Sequence, residues 1–254
     1  MPEIQKYTIS ETFELPSKGQ IYDEKISSKI DLRAMTARDE MKRLNPTSTP
    51  LKTIADIIES CMINKPAIHV YDMISGDYEF LLHKLRTITY GSDYKMIVYC
   101  PNCGQSHETV AQLDSLAVKP FDLEEFETLR TLTLPDSGKE VYLNYQTPRT
   151  IDEAANKAKE LKAKMRNANI DFDTYVTLGQ AIKTLDGNKL TATDIDYLLD
   201  ELTAKDLAKI ITGYDKVNSY VGIDNTFYLT CNSCGGDIVT SFRLGSEFFR
   251  PTTI

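Results

Sequence analysis

The chain has 254 residues, of which 41% are hydrophobic and 26% charged, an ordinary mixture for a globular protein that can bury a sizeable core. Its formal net charge of −8 repels phosphate backbones and makes nucleic acid a poor partner. The opening MPEIQKYTISETFELP has neither a basic start nor an apolar run, and no eighteen apolar residues follow one another. The sequence therefore predicts no secretory signal, no membrane-spanning helix, and a soluble protein made in a cytoplasm.

Along the chain, LPSKGQ at 15–20 reads as a turn, followed by a short strand around Lys29 to Leu32. MTARDE then offers a helix start, with Thr36 and Asp39 as a capping box. Cys61 lies in IADIIESCMIN, an apolar helical stretch, and is expected to be a small buried hydrophobe. After GDYEFLLHKL, strands are expected over Tyr94–Tyr99 and His107–Leu113, with CPNCG between them. The acidic LEEFE after Pro120 is the one plausible linker, although its Leu and Phe suit a core.

A second Leu-Pro turn opens LPDSGKEVYLNYQTPRTIDE, with Thr150 and Glu153 as its capping box. A helix is predicted from Thr150 to Asn167, with Ile151, Ala154, Ala158, Leu161 and Met165 forming one apolar stripe. Glu153 with Lys157 and Glu160 with Lys164 support its wet face. Asp186-Gly187-Asn188 marks a turn. Ile195 to Ile211, carrying Leu198, Leu199, Leu202, Leu207 and Ile210, reads as a buried helical segment broken near Thr203. Strands over Asn225–Thr230 and Asp237–Phe242 flank CNSCGG.

Four of the five cysteines thus form two C-x-x-C pairs, Cys100 with Cys103 and Cys231 with Cys234, each at a hairpin tip and each followed by glycine. In a reducing compartment such pairs favour zinc over disulfides, and two short knuckles supply the four thiolates of a closed tetrahedral site. The pattern is that of a zinc ribbon with structural Zn2+ held by Cys100, Cys103, Cys231 and Cys234. Two other readings stand beside it. C-P-x-C is also a dithiol redox pattern, but there a helix follows the first cysteine, whereas strand-like HETVAQL follows here. Two separate sites completed by histidine would need ligands such as His107, which is expected to be a surface hairpin residue.

The pairs lie 128 positions apart, far more than in an ordinary ribbon. An internal repeat accounts for the distance. Hairpin, helices and cysteine knuckle recur over about 11–117 and 130–245, which gives an α+β fold of two pseudo-repeated halves, 1–120 and 121–254. Each half donates one C-x-x-C, and one ion clips them together.

Catalytic motifs are missing. Ser137-Gly138-Lys139 lacks the upstream glycine of a phosphate loop, and neither H-E-x-x-H nor G-x-S-x-G occurs. The expectation is no enzyme and no small-molecule substrate. The knuckle tips, Pro101-Asn102 and Asn232-Ser233, carry no charge, and nearby Lys95 and Arg243 are isolated. That argues against direct DNA reading, while leaving a regulator of transcription machinery that acts through protein contacts.

LPSKG, DLRAMTARDE and LLHKLRTITYGSDY running into CPNCG together resemble the baseplate hub proteins of T-even-like contractile-tailed bacteriophages. The resemblance is clearest over 15–104 and loose over 150–225. It implies a non-enzymatic component of the tail baseplate's central hub, or a factor that assembles it. Its partners would be other hub and tail proteins, and its locations the host cytoplasm during assembly and the virion tail.

Overall fold

The computed structural model describes residues 9–24, 26–45, 47–165, 170–241 and 248. Strands β1 (Ser10–Glu14) and β2 (Lys29–Arg33) form an antiparallel hairpin. On β2, Ile30 and Leu32 turn into the core, as a period of two requires. Helix α1 (Ala37–Arg43) starts at the expected capping box, in which Thr36 Oγ1 accepts from Asp39 N and Asp39 accepts from Thr36 N. Helix α2 (Pro50–Cys61) buries Ile54, Ala55, Ile57 and Ile58. Cys61 is fully buried, as expected, and burial pushes its thiol up to about 11.

Helix α3 (Ser75–Tyr90) leads into the hairpin β3 (Asp93–Tyr99) and β4 (Ser106–Gln112). The LEEFE stretch is not a linker. Helix α4 (Leu123–Arg130) runs through it, Asp122 caps it by accepting from Glu125 N at 2.9 Å, and Phe126 is fully buried. A three-stranded antiparallel sheet follows, in the order β5 (Thr131–Thr133), β6 (Glu140–Leu143), β7 (Ile182–Leu185).

Helix α5 runs Pro148–Lys164, so its start differs from the Thr150–Glu153 expectation. Its cap is Thr147, and Thr150 is the reciprocal partner three residues on. Proline at the first helical position has a preset φ and no N–H to leave unsatisfied, which moves the start upstream. Ala158 is buried and Ile151, Ala154 and Leu161 are half-buried. Ala158 packs with Phe172 and Val176 of helix α6 (Phe172–Ala181). Met165 caps the C-terminus and is 47% exposed, so the stripe ends at Leu161; Asn167 lies outside the described residues. Glu160 and Lys164 form the expected ion pair.

Helices α7 (Ala192–Glu201) and α8 (Ala204–Tyr220) break at Leu202-Thr203, where Thr203 caps α8. The last hairpin is β8 (Thr226–Thr230) with β9 (Asp237–Ser241); Phe242 and Arg243 lie outside the described residues. One large core takes residues from all along the chain, among them Leu15, Ile58, Leu81, Phe126, Leu143, Ile210 and Val217.

Two buried aspartates bind the Leu-Pro turns to the long helices. Asp77, in the first turn of α3, accepts from Ser17 N at 3.0 Å, from the Ser17 hydroxyl and from Tyr22 Oη at 2.7 Å. Asp206, in the first turn of α8, accepts from Asp136 N at 2.9 Å and Ser137 N at 3.1 Å. A carboxylate can be buried at tolerable cost only when its lone pairs are met in this way.

Candidate metal centre

The two cysteine hairpins pack inner face to inner face. Val98 and Ile238 are buried between them, with Met96 and Leu229 beside them, in a cluster separate from the main core. Their bases are tied down elsewhere, because Tyr94 and Phe227 pack against the main core.

Both tips fold alike. Cys100 N donates to Gln105 O at 2.9 Å and Gly104 N to Cys100 O at 2.9 Å. In the second knuckle Cys231 N donates to Gly236 O at 2.8 Å and Gly235 N to Cys231 O at 2.8 Å. Gly104 and Gly235 share φ +72°, a left-handed conformation that explains the glycine after each second cysteine. A Cβ on Gly236 would lie 2.1 Å from Asn102 Nδ2, so the tips also touch one another.

This geometry brings all four sequence-predicted sulfurs together, within 4.8 Å of one another. Cys100 Sγ lies 3.7 Å from Cys234 Sγ, and Cys103 Sγ lies 3.7 Å from Cys231 Sγ. A disulfide would need about 2.05 Å, and all four are free thiols. By contrast, a tetrahedron with metal–sulfur arms of about 2.3 Å has edges of about 3.8 Å. The donor set fits a four-coordinate thiophilic ion.

Electrostatics points the same way. At Cys231 burial opposes ionisation, but the N–H groups of Cys234 and Ser233 together with the Cys234 and Cys100 sulfurs outweigh it and bring the thiol to about 6. At Cys234 the Gly236 N–H favours the thiolate, yet the neighbouring sulfurs outweigh it and push the thiol up to about 12. Cys103 is raised by the Cys231 and Cys100 sulfurs, against a lowering contribution from the Gln105 backbone. Four thiolates this close ionise together only around a cation.

His107 is not the surface residue expected from its hairpin position. It pairs across from Val98 on the inward face of β4, is half-buried, and its Nε2 lies 3.1 Å from Cys231 Sγ. Strand parity held the signal: His107 shares its face with Ala111, which is buried.

A family model described as T4 bacteriophage base plate protein matches residues 6–250. No curated protein and no solved structure matches the chain.

Proposed function

The chain belongs to the T4 bacteriophage base plate protein family, and from that premise we propose that it is a non-enzymatic structural component or assembly factor of the baseplate's central hub. Membership over nearly the whole chain supports a structural or assembly role in a phage baseplate; the hub is the finer assignment, drawn from the sequence resemblance over residues 15–104. Its partners are other hub and tail proteins, met in the host cytoplasm during assembly and in the virion tail. No helix among the described residues is long and apolar enough to cross a membrane.

Cys100, Cys103, Cys231 and Cys234 hold a structural Zn2+ in this reading. The ion fixes two related halves, 1–120 and 121–254, so that their outer surfaces keep one docking geometry. The observation that carries the proposal is the pair of 3.7 Å sulfur edges linking hairpins far apart in sequence. A four-thiolate shell leaves no open position for water or substrate, which suits structure rather than chemistry.

The test combines metal content with assembly. Elemental analysis of the full chain is expected to give one zinc per protein, and Cys231→Ser to abolish it and lower thermal stability together. The protein should co-purify with tail particles or their hub intermediates. Metal-free wild-type protein of unchanged stability would sink the zinc assignment. Absence from every tail assembly stage would sink the baseplate role.

A further inference from the structure

We infer that His107 is a positioning residue for the metal site, whose Nε2–H donates to the Cys231 thiolate across the junction of the two hairpins. The inference rests on the metal reading above and deepens it. His107 stands on β4 of the first hairpin, while Cys231 opens the knuckle of the second, so this contact joins the two hairpins directly.

Distance decides between donor and ligand. If His107 and Cys231 both bound one zinc, arms of about 2.0–2.1 and 2.3 Å in a tetrahedron would hold nitrogen and sulfur about 3.6 Å apart. The observed 3.1 Å is shorter than that edge and suits an N–H···S bond. The metal's shell is already complete, since the four sulfurs make a mutually close set without His107.

Charge supplies the reason for such a donor. Four thiolates around a divalent ion leave a net charge of −2, and each N–H aimed at a sulfur disperses part of it. Cys231 Sγ receives a backbone donor as well, Ser233 N at 3.4 Å. The imidazole therefore orients Cys231, moderates its electron donation to the metal, and shields it from electrophiles.

Full-length protein loaded with Co(II) as the optical probe tests this. Wild type is expected to show the ligand-field bands of a four-sulfur tetrahedral site. His107→Leu should keep those bands but move the sulfur-to-cobalt charge-transfer band to lower energy. It should also weaken Co(II) and Zn(II) binding about 10–100-fold in chelator competition. His107→Gln, which places an amide N–H near the Nε2 position, should recover most of both. Should the leucine variant not fold, His107→Ala supplies the donor-free case.

Mixed nitrogen–sulfur bands in wild type that become all-sulfur without His107 would make it a ligand and overturn the inference. Unchanged charge-transfer energy and affinity in the donor-free variants would reduce His107 to packing and overturn it equally. Wild type that takes up neither metal would defeat the underlying metal reading, an outcome distinct from a loaded site indifferent to residue 107.

Discussion

Stripping the metal should loosen the two cysteine hairpins and leave the rest of the molecule folded. Structural zinc in small peptides contributes on the order of 10–16 kcal/mol at neutral pH, comparable with the 5–15 kcal/mol total stability of a typical domain. Whether its loss unfolds the whole chain depends on where the site sits. Among the described residues, and apart from the cysteines, Val98 and Ile238 are the two buried side chains of the cluster between the hairpins. At about 1.5–3 kcal/mol each they contribute about 3–6 kcal/mol. That is too little to order two hairpin tips, at about 1–2 kcal/mol of backbone entropy per residue. The main core contains neither residue and takes its closure from helices α2, α3 and α8. Hydrogen exchange with and without a strong chelator reads the difference. Amides of β3, β4, β8 and β9 near the knuckles should lose protection, Tyr94 and Phe227 at their bases less so. Helices α2, α3 and α8 should keep protection, and helical circular dichroism should hardly change. Simultaneous loss of protection in hairpins and helices would refute the separation, and hairpins that stay protected without metal would refute the ion's role.

Three further perturbations probe the core. His83 is buried and stacks on Phe248, and burial pushes its pKa down to about 4. The unfolded chain, titrating near 6.5, binds the extra proton between those values, so stability falls as pH drops from about 6.5 to 4, by about 3 kcal/mol. Denaturant titrations across that window should show the loss in wild type and not in His83→Leu. Gly76→Ala should cost about 3 kcal/mol, because its Cβ would lie 2.2 Å from the Val221 carbonyl oxygen, a backbone atom that cannot swing aside; a melting temperature within a degree of wild type would contradict that packing. Asp152→Ala should cost about 2–3 kcal/mol, since buried Asp152 accepts from Lys52 N and Tyr71 Oη, each at 3.1 Å. Combined with Tyr71→Phe it should cost less than the two singles added, and strict additivity would deny the contact.

Much of this molecule could be read from local signals. The Thr36–Asp39 box, the break at Thr203 and all four knuckle strands obey rules that act over a few residues, and the structure keeps them. The clustering of the four cysteines was legible because C-x-x-C-G fixes its own turn through a left-handed glycine, which needs no tertiary help. What escaped depends on contacts between distant segments. Thr49 precedes α2 in a capping position yet makes no side-chain cap bond. The capping acceptor is Asp152, one hundred residues away. LEEFE looked like a linker because its charges were visible, whereas the pocket that encloses Phe126, formed with Phe121 and Tyr220, was not. The misplaced start of α5 was a local error: Thr-Pro-Arg-Thr holds two threonines, and the proline chooses the first.

The proposed correspondence between the halves draws on more than the cysteines. Each Leu-Pro turn is held by an aspartate at the third residue of a long helix, Asp77 in α3 from Ser75 and Asp206 in α8 from Ala204. Each of those helices ends in the hairpin that bears a knuckle, 23 residues from Asp77 to Cys100 (100 − 77) and 25 from Asp206 to Cys231 (231 − 206). Matching Cys100 to Cys231 and Cys103 to Cys234 exchanges the two 3.7 Å contacts with one another, as a two-fold arrangement would. The same matching sets Val98 against Leu229 and His107 against Ile238, and Val98 faces His107 across the first hairpin as Leu229 faces Ile238 across the second. Ile238 is buried and apolar, whereas His107 aims a ring nitrogen at a sulfur. A symmetric clasp would be served by a hydrophobe in both places. That one half keeps an imidazole there fits a site in which, among the described residues, Cys231 is singled out by a ring nitrogen.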